Sequence, residues 1–240
     1  MNSIEAGGGP AVMHWGAGLA VAAKPNGMPV APDRTGDPDL LSWLRRTTGC
    51  ASLELVNRID RPVSGLVLAA FPPTLQLLNE DLRERRVRKL YRAIVEGRPS
   101  AADAPLWLTH SLGRDGGRRR AVLNATGTDR STEARLSVRM LQQGERYSLV
   151  EVEPEGGAFH QIRAQLAAWG HPIKGDVKYG ARRAERGEAG IARSIALHAH
   201  HLELTHPATA QVIAITAPRP VGRLWQLFWP EDHPTADPRP

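Results

Sequence analysis

The chain has 240 residues, 41% of them hydrophobic, and a formal net charge of +6 at pH 7. That length holds one large domain or two small ones around a sizeable core. No apolar run approaches the roughly 20 residues that span a bilayer, and a lone cysteine, Cys50, excludes a disulfide framework or a cysteine-based zinc site within one chain.

Residues 1–14, with Gly7-Gly8-Gly9-Pro10, read as a flexible N-terminus. The segment up to Ala23 has neither the basic start nor the unbroken apolar stretch of a signal peptide, so a cytoplasmic location is expected. Leu19 to Ala23 reads as a strand ending in the turn Lys24-Pro25-Asn26-Gly27. Asp39 to Arg46 reads as a short helix, and the continuous apolar run Leu66 to Ala70 as a buried strand. Pro73 to Arg86 carries Leu75, Leu78 and Leu82 at helical spacing. Lys89 to Val95 alternates as a strand does. Gly113 to Gly117 marks a hairpin turn, followed by strands at Ala134–Leu141 and Tyr147–Val152. His160 to Trp169 reads as a helix ended by Gly170. Leu197–Leu204 and Gln211–Ala217 are further strands, and 230–240, rich in Pro and Asp, reads as a disordered tail. Residues 15–229 then form one domain. Runs of strands with few helices predict an α+β fold with a largely antiparallel sheet.

The positive charge is nearly all arginine, since Lys24, Lys89, Lys174 and Lys178 are the only lysines. Arginine's planar fork suits phosphate. Two stretches are arginine-rich, Arg83–Arg88 and Arg114–Arg120. Basic excess alone does not tell a nucleic-acid surface from a solvated basic face.

Asn57-Arg58-Ile59-Asp60-Arg61-Pro62-Val63-Ser64-Gly65 sets one carboxylate between two arginines and two apolar runs. Such a carboxylate stays ionised and can act as nucleophile, base or half of an ion pair. Asp60 has no sequence neighbour to make a two-acid glycosidase, and no phosphate-cradling loop or Gly-x-Ser-x-Gly elbow exists. Gly156-Gly157-Ala158-Phe159-His160-Gln161-Ile162-Arg163 leads flexible backbone into a polar first helical turn. His171–Gly180 is a loop with fixed turns and both signs of charge. His198, His200, His201 and His206 invite a metal reading, but without Cys or a helical His pair their expected roles are packing and hydrogen bonding.

Taken together and in order, these segments resemble the RluA-type pseudouridine synthase family. The resemblance runs from about residue 19 to 217. The family's His-Arg-Leu-Asp-Arg-x-x-Ser/Thr-Gly stands here as Asn57 to Gly65. Lys89, Tyr91, Ala93, Val95 and Gly97 match a second motif; Gly157 and His160 to Arg163 a third; His171 to Gly180 a fourth. Leu197-His198-Ala199 and Lys24-Pro25-x-Gly27 match two more. The resemblance implies a pseudouridine synthase catalytic fold, with a mixed central sheet flanked by helices and loops and two lobes around a central cleft. It implies an enzyme isomerising uridine in rRNA or tRNA, with no cofactor and no metal, acting as a monomer. Asp60 takes the nucleophile's position, Arg163 that of its partner, and Tyr91 that of the ring packed on the target base and the candidate to remove the C5 proton. Arg58, Asn57, His160, Gln161 and Lys89 are the expected RNA-binding residues, with Arg61 structural.

Asn57 stands for the family's His, Ala158 and Phe159 for Arg and Thr, and Gln165 for His. These departures bear on RNA specificity more than on the reaction. The chain as given also starts close to the core, leaving no room for an N-terminal RNA-binding domain. A non-catalytic RNA-binding or RNA-folding protein on the same scaffold is the alternative reading.

Overall fold

The computed structural model describes residues 9–100, 104–117, 120–123, 131–186 and 193–230. In chain order the elements are β1 (Ala11–Gly16), β2 (Leu19–Lys24), α1 (Leu40–Thr48), β3 (Glu54–Leu55), β4 (Ser64–Ala70), α2 (Pro72–Arg83), β5 (Arg88–Glu96), β6 (Leu106–Asp115) and β7 (Arg120–Leu123). There follow β8 (Thr132–Gln143), β9 (Tyr147–Pro154), α3 (Gln161–Ala168), a 3-10 turn (Val177–Tyr179), β10 (Glu185–Arg186), β11 (Arg193–Ser194), β12 (Leu197–Thr205), β13 (Val212–Thr216) and α4 (Arg223–Phe228).

Eleven strands form one sheet in the order β1-β2-β4-β12-β5-β9-β8-β6-β7, with β13 beside β12 and β3 beside β4. The β4–β12 pair is parallel; the other pairs among the described residues are antiparallel. This is the expected α+β fold with a largely antiparallel mixed sheet. Among the described residues no helix is long and apolar enough to cross a membrane.

β2 from Leu19 to Ala23 and β4 from Leu66 to Ala70 are apolar throughout because both sheet faces are covered there. On β2 and β4, Leu19, Val21, Leu66 and Leu68 share one cluster with Leu78 of α2. Their neighbours Ala20, Ala22, Val67 and Ala69 share another with Leu40 and Leu44 of α1. Period-two alternation thus sorts one continuous apolar run onto two cores. Asp39 caps α1 by accepting from Ser42 N at 2.9 Å, and Gly49 ends it in the left-handed region.

Two expectations are corrected. Residues 11–14, expected to be loose, belong to the edge strand β1, paired antiparallel to β2 with an irregularity between Val12 and His14; residues 1–8 and 231–240 lie outside the described residues. The helix expected to reach Arg86 stops at Arg83. Arg85 takes a left-handed φ of 60°, and Arg86 N–H closes on Asp81 O at 2.8 Å.

Gly65 shows how closely the catalytic-motif segment is seated. It sits at φ 113°, and a Cβ there would lie 2.2 Å from Ala199 O on β12. Only glycine lets β4 and β12 approach in this way.

Candidate active site

Asp60 lies in the loop between β3 and β4. Ile59 and Val63 turn into the core, at 6% and 2% exposure, which leaves the Asp60 side chain facing outward. The loop is pinned at both ends. Asn57 Oδ1 accepts from Leu68 N at 2.7 Å. Arg61 Nε donates to Gly27 O and Gly27 N donates to Arg61 O, both at 2.8 Å. Lys24, buried, donates to Pro25 O and Met28 O at 2.9 Å and to Arg61 O at 3.2 Å. Burial lowers the Lys24 amine to about 7, with the Asp60 charge opposing and Arg61 adding to the fall.

Neither flanking arginine is the partner of Asp60. Arg61 turns to Asp33, Thr35 and Asp37, a structural role. Arg58 is exposed and, among the described residues, its side chain makes no ion pair. The partner is Arg163, 103 residues away in sequence, whose NH1 donates to Asp60 Oδ2 at 2.9 Å. Arg163 is itself held in a fork by Asp176, Nε to Oδ2 at 2.7 Å and NH2 to Oδ1 at 2.8 Å, and its Cζ lies 5.0 Å from the Tyr179 ring centroid. Burial works against its charge, but the hydrogen bonds and charge of Asp176, then those of Asp60, outweigh it and raise the guanidinium's pKa. A guanidinium forked onto one carboxylate and presented to a second is a fixed cation for the second.

Helix α3 supplies Arg163. It is buried from Gln161 through Leu166, so each polar side chain on it needs a partner. Gln161 Nε2 donates to Arg135 O at 3.0 Å, and its Oε1 accepts from Ala158 N at 3.2 Å. Gln165 Nε2 donates to Leu108 O at 2.9 Å and Ala134 O at 3.1 Å. The helix begins one residue later than expected, because His160 is its left-handed cap at φ 55° and ψ 26°.

That turn aims the His160 ring at the site. Its Nε2 lies 3.6 Å from Asp60 Oδ2, and its Nδ1 lies 2.8 Å from Tyr179 Oη, which accepts from Ala121 N at 2.7 Å. The carboxylate favours the tautomer with the proton on Nε2. Burial, opposed by Asp60 and aided by Arg163, Lys178 and Arg114, lowers His160 to about 4, so the ring is neutral at pH 7. Tyr91, on β5 between β9 and β12, is half-buried. Burial first and the Asp60 charge second push its hydroxyl above the usual phenol range. Asp60, Tyr91, His160 and Arg163 line one open cleft of about 460 Å³, with Val63, Ile162 and Leu197 as its apolar walls.

The expected RNA-binding residues divide. Arg58, His160 and Gln161 line the cleft. Asn57 ties its amide oxygen to β4. Lys89 donates to Gly156 O at 3.0 Å, with burial lowering its amine. Gln161, 4% exposed, spends both ends of its amide inside the protein. Gln165, fully buried, anchors α3 to β6 and β8 and does not line the cleft. Arg118 and Arg119 lie outside the described residues. The histidines expected to pack and bond do so: His198 Nδ1 is 2.9 Å from Ser64 Oγ, His201 Nδ1 is 2.9 Å from Thr216 Oγ1, His206 Nε2 is 2.7 Å from Ala17 O, and His200 meets the Trp229 ring edge-on at 4.6 Å. Asp176 and Tyr179 were given no role by sequence, although the Gly-Asp-x-x-Tyr-Gly of their loop signals them.

The architecture is that of solved pseudouridylate synthase domains. Human RNA pseudouridylate synthase domain containing 1 superposes with a TM-score of 0.68 at 21% identity, over 90% of this chain and 86% of that one. Human RNA pseudouridylate synthase domain containing 4 gives 0.67 at 21%, over 89% of each. The RNA pseudouridylate synthase family model matches residues 18–168, and the chain belongs to this family, in its RluA-type branch. The ribosomal large subunit pseudouridine synthase C of Haemophilus ducreyi is 40% identical over 176 residues, 69% of this chain and 52% of the relative. That of Escherichia coli K12 is 36% identical over 181 residues, 71% of this chain and 54% of the relative. An uncharacterized RNA pseudouridine synthase of Chloroflexus aurantiacus is 38% identical over 170 residues, 69% and 50%. The chain spans about half the length of these relatives.

Proposed function

We propose that this protein isomerises uridine to pseudouridine in a structured RNA, with Asp60 as nucleophile. The observation that carries the reading is the Asp60–Arg163–Asp176 chain, at 2.9, 2.7 and 2.8 Å, opening on a cleft with a tyrosine in its wall. In the isomerisation the bond from ribose C1′ to N1 breaks and one from C1′ to C5 forms. A proton leaves C5 and N1 gains one, so the balance needs no cofactor. Asp60 bonds to the uridine in between, and Arg163 holds its carboxylate aimed beforehand through the 2.9 Å hydrogen bond. In the free enzyme Tyr91 keeps its proton. Once Asp60 is bonded its charge is gone, and one of the two causes that raise the Tyr91 hydroxyl goes with it. The hydroxyl then moves toward the range where it can help remove the C5 proton.

A base enters such a cleft only when flipped out of its stack, at a cost of a few kcal/mol that is least in loops. Arg58, exposed on the rim with no ion pair among the described residues, is the side chain suited to enter the gap. The relatives named for the large ribosomal subunit favour rRNA over tRNA as substrate. A monomer in the cytoplasm is the working form, and the catalytic domain is the expected 15–229 extended at its start to take in all of β1.

The test is pseudouridine mapping of rRNA and tRNA from cells with and without the gene. A defined site should vanish in its absence and return with wild type but not with Asp60→Asn. A site restored equally by Asp60→Asn would favour the non-catalytic RNA-binding reading.

A further inference from the structure

The positive charge near the site is not where the arginine-rich sequence suggests. Arg83, Arg85, Arg86 and Arg88 each meet carboxylates: Glu80; Glu155; Asp81 and Glu84; Glu153 and Glu203. Their charge is spent within the protein. Arg114, on β6, is exposed and makes no ion pair among the described residues. Its Cζ lies 4.6 Å from the centroid of the Phe159 ring. That ring stacks in turn on His160, centroids 3.8 Å apart and planes 19° apart. A three-layer stack therefore runs from a free cation at the surface to the imidazole 3.6 Å from Asp60.

Phe159 is 37% exposed, so part of its ring is open to solvent. It lines a second cleft, of about 880 Å³, with Arg114 and Arg135. This cleft shares Gly156, Gly157, Ala158 and Gln161 with the catalytic one. A Cβ at Gly157 would meet nothing within 4 Å, and the two clefts adjoin along these shared residues.

Resting on the reading that the chain acts on RNA, we propose that Phe159 and Arg114 form a subsite for an unpaired nucleotide adjacent to the target uridine. The base stacks on the outer face of the Phe159 ring, where the guanidinium now lies. Arg114 swings aside to the phosphate, needing to break no ion pair within the described protein to do so. Stacking on an aromatic face tolerates any base, so the subsite holds a neighbour without reading its identity. Because Phe159 braces His160, occupancy is also felt at the catalytic carboxylate.

The test uses the full chain and a large-subunit rRNA transcript carrying tritium at uridine C5, with a fluorescein-labelled copy for anisotropy. Phe159→Ala and Phe159→Leu should weaken binding and raise KM on the order of tenfold, with Phe159→Trp restoring both. Leucine keeps an apolar brace on His160 but offers no ring face. Arg114→Ala should lower the slope of log affinity against log salt by about one, while Arg86→Ala, whose charge is already paired, should not. Wild-type affinity and KM in Phe159→Leu, with the melting temperature held, overturn the subsite and leave the catalytic reading standing. Wild type that binds with this pattern yet releases no tritium keeps the subsite and overturns the catalytic reading. Wild type that does not bind RNA overturns both.

Discussion

Arg163 and Arg92 are buried almost equally, at 5% and 8% exposure, and their surroundings treat them in opposite ways. Arg163 has a carboxylate forked on one side and a second at its tip, and its pKa rises. Arg92 sits 3.9 Å over the Trp229 ring, among His198, His200 and Trp225, with a buried Nε that finds no hydrogen-bond partner among the described residues. Its pKa falls, chiefly through burial. One buried cation is wired to hold another charge in place; the other is tolerated against aromatic faces. Burial alone therefore marks neither as functional. What separates them is whether the hydrogen bonds end on a group that faces open space.

The two corners should respond differently to mutation. Arg163→Ala leaves Asp176 buried and unpaired and frees Asp60, so activity should vanish with a loss of about 3–5 kcal/mol in stability, read by tritium release and denaturant unfolding. Asp176→Asn keeps the shape and removes the fork's charge. The turnover number should drop on the order of a hundredfold while the fold is largely kept; unchanged turnover would remove Asp176 from the mechanism.

Acid should unfold both corners. His160 sits at about 4, His198 at about 3 and His200 at about 2, each lowered mainly by burial. In the unfolded chain each binds a proton near 6.5. Their stability contribution is fully present above pH 6.5 and is lost as pH falls toward the folded values, because only the unfolded state then takes up protons. Melting temperature should fall steadily from pH 7 to pH 4, and His200→Gln should flatten that fall. The smallest effect is expected at Arg92→Met. It trades a poorly satisfied cation for an apolar chain against Trp229, so stability should move by about 1 kcal/mol or less and turnover should hold. A large loss of turnover there would mean that the aromatic corner, through the His198–Ser64 hydrogen bond, helps to position the Asp60 loop.

The sequence made one half of this comparison legible. The strands with continuous or alternating apolar residues, β2, β4, β5, β8, β9, β12 and β13, stood out because burial sets their pattern. Other elements did not: β1 carries glycine, His14 and an exposed Trp15, β6 takes in Gly113 to Asp115 of the expected turn, and α4 follows a proline-rich stretch. At the site, Asp60, Tyr91 and Arg163 were named from motif positions and share one cleft. What spacing could not show was pairing at long range. Asp60 has arginines on both sides in sequence and uses one 103 residues away. Arg85 and Arg88 looked like free charge because their carboxylate partners, Glu155 just past β9, Glu153 on β9 and Glu203 on β12, are far away in sequence. Asn57, Lys89 and Gln161, expected at the RNA, each also bond a backbone group that only folding brings near.

The central claim is that Asp60, held by Arg163, bonds to uridine during isomerisation. Tritium release from C5-labelled rRNA by purified wild type and Asp60→Asn tests it most directly, with matched melting curves as the control for folding. The wild type should release tritium with multiple turnovers, and Asp60→Asn should fall on the order of 10⁴-fold or more. Release by Asp60→Asn within tenfold of wild type would contradict the account.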